Sequence, residues 1–199
     1  MMNFNSLFRS QKFQKYKLFF NKTMFIRSTD KPSTESVIRP NKSQPYTKFF
    51  VLDFEATCDN GAHLLKPQDM VSNSPTFDDV FLNFCNWHND HTNMEKEKSI
   101  IVTSGNWDIG NMFVEQCKLY PSTIKIPEFM CTWINIKKLF ALTMGQYPLG
   151  ITNMLKRTNS KQFGNIHSGI DDCVNIITIM NQLSQRGCVF QATNKIISV

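Results

Sequence analysis

The chain has 199 residues, 41% of them hydrophobic, with 17 Phe and a formal net charge of +6. This length and apolar share fit one domain with a real core, and no apolar run reaches the about 20 residues that span a bilayer, so no membrane partner is expected. Residues 1–29 hold Arg9, Lys12, Lys15, Lys17, Lys22 and Arg27 and no acid, which leaves 30–199 formally neutral and argues against tight non-specific binding to nucleic acid.

The first stretch is basic, free of acids and rich in Phe and Ser, the composition of a mitochondrial presequence. A disordered basic arm that touches nucleic acid, or a leader with no role, are the alternatives. Residues 30–48 are rich in Pro, Ser, Thr and Lys and read as a linker. Tail and linker together make 1–48, and the folded domain is 49–199. Residues 49–58, FFVLDFEATC, read as a strand buried on both faces, and 59–73 as a polar loop.

Ser74-Pro75 offers an N-cap and a proline at the first helical position. Phe77, Val80, Phe81, Phe84 and Trp87 then recur at helical spacing. His88 and His91 have ligand-like spacing but are assigned to a solvated loop with no third ligand nearby. SIIVTSG at 99–105 is a second short strand. Strand, helix, strand makes a βαβ unit with parallel neighbours.

A helix over 111–120, a strand over 131–136, a helix through Met144 and a helix over 151–158 follow. Lys156, Arg157 and Lys161 either steer an RNA backbone or form a solvated face. The last helix carries Ile170, Cys173, Ile177, Met180 and Leu183 on one face, and Gly187 is placed to end it. The whole reads as an α/β layer domain. None of the six cysteines forms a CxxC pair. Buried free thiols in a reducing compartment account for them, so the expected location is intracellular: cytoplasm or nucleus, with the mitochondrion raised by the basic stretch.

Asp53 and Glu55 are two apart on the first strand, so they project from one face. Two carboxylates in apolar surroundings repel each other and lose hydration. A divalent cation resolves both problems, and oxygen ligands favour Mg2+ or Mn2+. A pair of solvated acids at a strand end is the plain alternative. Asp108 falls just past the second strand, and parallel sheets build sites at the carboxyl ends of strands. A helix N-cap is its other role. Trp107 beside it packs in a core or stacks on a base.

His167 precedes the last helix, and Asp171 and Asp172 lie in its first turns, where acids also favour the macrodipole. Ile170 and Cys173 belong to the buried face, so one of the two acids looks toward the sheet edge. Four acids and one His at one place suit phosphodiester hydrolysis with two metal ions about 3.5–4 Å apart. His167, an imidazole, suits the general base.

Three blocks carry a resemblance: VLDFEATC (51–58), TSGNWD (103–108) with Gln116 and Cys117, and HSGIDDC (167–173) with its helix. They resemble the DEDDh 3′–5′ exonucleases, and more narrowly the Eri-type exoribonucleases, the third Eri-type branch above all. WINIKK (133–138) and RGCVFQAT (186–193) fit as well, and the likeness covers 49–196. It implies a ribonuclease H-like exonuclease fold, α/β with a mixed sheet flanked by helices. It implies Asp53, Glu55, Asp108 and Asp172 as ligands of Mg2+, two per site, with Mn2+ as substitute. His167 is then the general base, with Glu55 beside it in catalysis.

Glu55, Ala56, Thr57, Trp107 and His167 are implied to meet the terminal nucleotide of single-stranded RNA 3′ ends, with release of nucleoside monophosphates. Asp172 is preferred to Asp171 because the family's final acid falls five places after its His. Asp108 follows Glu55 by only 53 positions, whereas the family has a longer segment there, with two strands beside the first. Those two strands are expected to be missing. A second reading is an inactive or unstable splice form that only binds RNA or protein. A third is a DNA-trimming exonuclease. No protein partner is legible.

Overall fold

A computed structural model describes residues 43–54, 75–92, 98–119 and 124–196, and the backbone of 5–6, 19–21, 24–27 and 55. Strands β1 (Asn5–Ser6), β2 (Phe19–Asn21), β3 (Met24–Arg27), β4 (Lys48–Val51) and β5 (Phe54–Glu55) precede α1 (Phe77–His91) and β6 (Ser99–Thr103). A π-helix, Trp107–Phe113, runs into α2 (Val114–Lys118), and a 3-10 turn, Glu128–Met130, leads to β7 (Thr132–Asn135). Helices α3 (Ile136–Met144), α4 (Ile151–Arg157) and α5 (Gly169–Gln185) and strand β8 (Asn194–Lys195) complete the order.

The main sheet runs β3-β4-β6-β7-β8. Its centre, β4-β6-β7, is parallel and both edges are antiparallel, a mixed sheet as expected. The side chains of the central strands alternate between two cores. Phe50, Ile101 and Trp133, aligned across the strands, face α1 and the π-helix, while Val51, Val102 and Ile134 face α3, α4 and α5. A smaller antiparallel sheet runs β1-β2-β5.

Several expectations are corrected. The strand foreseen over 49–58 breaks after Val51, because the Phe54 amide leaves the ladder for the Asp108 carboxylate; 56–58 lie outside the described residues. Among the described residues no strand of the main sheet comes from between β5 and β6. The flank of β4 is paired instead with β3, from the basic N-terminal stretch. Ordered contacts also begin before Phe49. Gln44 donates to the Cys188 carbonyl and accepts from the Phe190 amide.

Thr76, not Ser74, caps α1; its hydroxyl accepts from the Asp79 amide and donates to the Asp79 carboxylate, a reciprocal cap directly before the first buried residue. Helix α1 continues through His91, so His88 falls on the stripe of Phe81 and Phe84. It is buried, bonded to the Ser99 hydroxyl and stacked on Phe129, and not in a solvated loop. Burial lowers its pKa. The helix foreseen over 111–120 starts earlier, as the π-helix.

On α5 the buried face is Cys173, Ile176, Ile179, Met180 and Leu183, with Ile170 and Ile177 only half-buried. Gly187, at φ +78, ends it as expected: its amide and that of Cys188 donate to Ser184 and Leu183. Five described cysteines are free thiols, and Cys58 lies outside the described residues. Among the described residues, no helix is long and apolar enough to cross a membrane.

Candidate active site

The carboxyl ends of β4, β6 and β7 deliver Asp53, Ser104 with Asp108, and Lys137 to one edge of the sheet. The last ladder bond of β4 is Leu52 N–H to the Val102 carbonyl, at 2.9 Å. Two residues on, the Phe54 N–H donates to Asp108 Oδ1 at 3.0 Å. Asp108 is thereby tied to the backbone between the first two acids.

The third piece arrives from α5. Asp172 is 3% exposed, and its Oδ2 accepts from the His167 N–H at 2.9 Å. His167 is itself exposed and holds a left-handed φ of +66. A non-glycine residue keeps that conformation only where its surroundings enforce it. Asp53, Ser104, Lys137, His167 and Asp172 line one cleft of about 630 Å³. Its opposite wall is the start of α4, from Leu149 through Asn153, with Lys156.

Burial drives the electrostatics. It pushes the Asp108 carboxyl above its ordinary value, opposed by the Phe54 and Asp108 amides and by the Lys137 charge. It also raises Asp172, opposed by the amide and charge of His167 and aided by Asp171. Beneath them the Cys173 thiol is pushed well up, first by burial and then by Asp53, Asp108 and Asp172 together.

This donor set fits a divalent cation. The donors are carboxylate oxygens, which suit hard ions. Asp172 Oδ1 is buried and has no hydrogen-bond partner, which leaves an anionic acceptor for a cation. Among the described residues no three His, Cys, Asp or Glu side chains close a cation site alone. Glu55 has its backbone in β5, but its side chain lies outside the described residues, as do Ala56 and Thr57.

Trp107 stands 49% exposed at the head of the π-helix and is not among the residues lining the cleft. Asp171 does not line the cleft and accepts from the Asn165 amide. Arg157 is spent on the Gln146 and Met144 carbonyls and lies over the Phe140 ring, so of the basic residues 156, 157 and 161 only Lys156 reaches the cleft. Sequence reasoning missed Lys137 and Asn175. Lys137 follows β7 directly, so the rule that found Asp108 reaches it too. Asn175 carried no signal, being a polar residue inside an apolar helical stripe.

Known proteins resemble this chain in sequence and in fold. The profile of the Exonuclease family, RNase_T, matches residues 62–180. The chain is 32% identical to ERI1 exoribonuclease 3 of Homo sapiens over 203 positions, covering 76% of this chain and 58% of that protein. It is 32% identical to 3′-5′ exoribonuclease 1 of Mus musculus over 132 positions, 65% of this chain and 38% of that protein. The chain thus spans just over half the length of the exoribonuclease 3 relatives. The 203 positions of that alignment exceed the 199 residues of the chain, so the relatives carry residues that it lacks.

The nuclease domain of 3′hExo, a DEDDh family member solved with rAMP, superposes with a TM-score of 0.61 at 26% identity, over 75% of this chain and 76% of that one. A 3′-exonuclease solved with the histone mRNA stem-loop gives a TM-score of 0.68 at 24% identity, over 77% of this chain and 68% of that one, and supports the fold. The family implies dependence on a divalent metal. On the shared fold, the family match and the convergence of Asp53, Asp108, His167 and Asp172, the chain belongs to the exonuclease family, in its DEDDh, Eri-type branch.

Proposed function

We propose that this chain is a metal-dependent 3′–5′ exoribonuclease that releases nucleoside monophosphates from single-stranded RNA 3′ ends. One observation carries the reading. Asp53, His167 and Asp172 line a single cleft, and Asp108 is fastened beside them through the Phe54 amide.

Asp53, Glu55, Asp108 and Asp172 are the residues to hold Mg2+, two ions per site, or Mn2+. When bound, such ions neutralise charge on the scissile phosphate and sharpen the water nucleophile. The His167 imidazole accepts the proton of the attacking water, and its backbone bond to Asp172 keeps it at the cleft. Glu55 assists at the reacting end. Glu55, Ala56 and Thr57 receive the terminal nucleotide, and the exposed Trp107, outside the cleft lining, is left to stack on a base beyond it. Lys137 and Lys156 in the cleft offset the repulsion between the acids and an RNA backbone. The free thiols fit a reducing compartment, cytoplasm or nucleus.

The test is incubation of the purified full chain with 5′-labelled single-stranded RNA and Mg2+. A ladder of shortened products that disappears with EDTA and in Asp53→Ala is expected. Intact RNA in a well-folded sample overturns the proposal. That result favours a short form that binds RNA or protein without cutting, a reading drawn from the residues that the relatives carry and this chain lacks. Matched DNA as substrate decides the sugar preference.

A further inference from the structure

The segment 159–168, between α4 and α5, has no helix or strand of its own, yet it carries His167. Burial does not hold it: residues 161–165 are all exposed, and the Phe163 side chain is 54% exposed. Side chains of α5 hold it instead. Asn175, fully buried, accepts from the Phe163 N–H at 2.8 Å through Oδ1 and donates from Nδ2 to the Phe163 carbonyl at 3.0 Å. Asp171 accepts from the Asn165 N–H at 3.0 Å, and Asp172 from the His167 N–H at 2.9 Å.

The Asn175 amide thus supplies both bonds that a neighbouring strand would give to Phe163. Between the clamp and His167 the chain turns at Gly164, φ +54, where an added Cβ would collide with the Asp171 carboxylate. A buried asparagine on a core stripe is costly unless its amide is satisfied. Here it is satisfied wholly by the histidine-bearing loop.

We propose that Asn175 is a positioning residue, which by clamping Phe163 sets where His167 stands against Asp172 and Asp53. It does so from outside the cleft, whose lining does not include it. The kinetic consequence rests on the exonuclease reading, and the mechanical one does not. A small misplacement of a catalytic group costs up to about a hundredfold in rate. The loss falls on kcat, because the acids and lysines that meet substrate stay in place.

The experiment uses the full chain with Asn175→Ala, and Gly164→Ala as a second disturbance of the same loop. Leu183→Ala, on the same helix and away from the cleft, is the destabilised control. Expected is a fall in kcat of about ten- to a hundredfold with KM changed less than about twofold, and faster amide exchange at 163–167. The Asn175→Ala loss should vanish in a His167→Ala background, since a residue acting through His167 has nothing left to position. A loss matched by Leu183→Ala, a loss that adds to that of His167→Ala, or unchanged exchange at 163–167 overturns the proposal. If the wild-type chain cuts no RNA, the exonuclease reading fails by itself. The exchange measurement still judges the clamp: faster exchange supports it and unchanged exchange overturns it.

Discussion

Phe113 is the most informative place to weaken the frame under the site. It closes the π-helix that begins with Trp107 and Asp108, and it is fully buried. Its ring lies 5.2 Å from that of Phe81, 6.3 Å from Phe77 and 6.4 Å from Phe54. Phe54 is the residue whose amide fastens Asp108, so one side chain supports both halves of that bond. Phe113→Ala removes a buried ring, for which about 3–5 kcal/mol is usual. Loss of the ring contacts, each worth about 0.5–1.5 kcal/mol beyond area, keeps it from the low end, at about 4 kcal/mol. That is a large share of a domain stability of about 5–15 kcal/mol.

In a chain of this size each kcal/mol moves Tm by about 2–4 °C, so a fall of about 8–16 °C is expected. Urea unfolding followed by tryptophan fluorescence gives the free energy, and calorimetry the Tm. Leu142→Ala, at a position 76% exposed, is the control and should stay within about 0.5 kcal/mol. A Phe113→Ala loss below about 1.5 kcal/mol, with two-state unfolding preserved, would refute the placement of this ring at the centre of the core.

Burial holds Asp172 above the ordinary carboxylate value of 3.8. Between 3.8 and that raised value the folded metal-free chain binds more protons than the unfolded one, so stability falls as pH rises through the window. The Tm difference between wild type and Asp172→Asn in EDTA should follow this fall, whereas the Tm gained from Mg2+ should appear only above the window; opposite trends contradict the burial of Asp172. Lys137→Met should weaken binding of single-stranded RNA and lower the slope of log affinity against log salt by about 0.7; an unchanged slope removes Lys137 from the RNA path. Deletion of residues 1–30 removes β3 and bares the edge of β4, so light scattering should show self-association; a deletion product that stays monomeric with unchanged Tm would show that β3 contributes nothing.

Residues with a strong local pattern were the legible ones. Phe50, Ile101 and Trp133 announced short buried strands, and the acids at their carboxyl ends followed from the topology of parallel sheets. The family likeness selects Asp172 over Asp171; in the structure Asp172 lines the cleft and Asp171 accepts from the Asn165 amide. Less legible were features that depend on distant partners. The break at Asp53 exists because Asp108, far along the chain, captures an amide that a strand would have kept. His88 read as a loop residue because its polar neighbours Asn86, Asn89 and Asp90 hide the stripe that continues through it. The pairing of β3 with β4 was invisible in a stretch whose basic composition pointed to targeting or disorder. Asn175 could not be found at all, since its partner is the backbone of Phe163, and a backbone has no signature in sequence.

The proposed activity requires acids from three separate segments to hold divalent cations next to His167. Crystals of the full chain soaked in Mn2+ and measured at the manganese absorption edge decide whether they do. Anomalous peaks in contact with Asp53 and Asp172, abolished in Asp172→Ala crystals, are the predicted result. Saturating Mn2+ with no peak in the cleft, or peaks only at surface carboxylates such as Asp79 and Glu128, would contradict it.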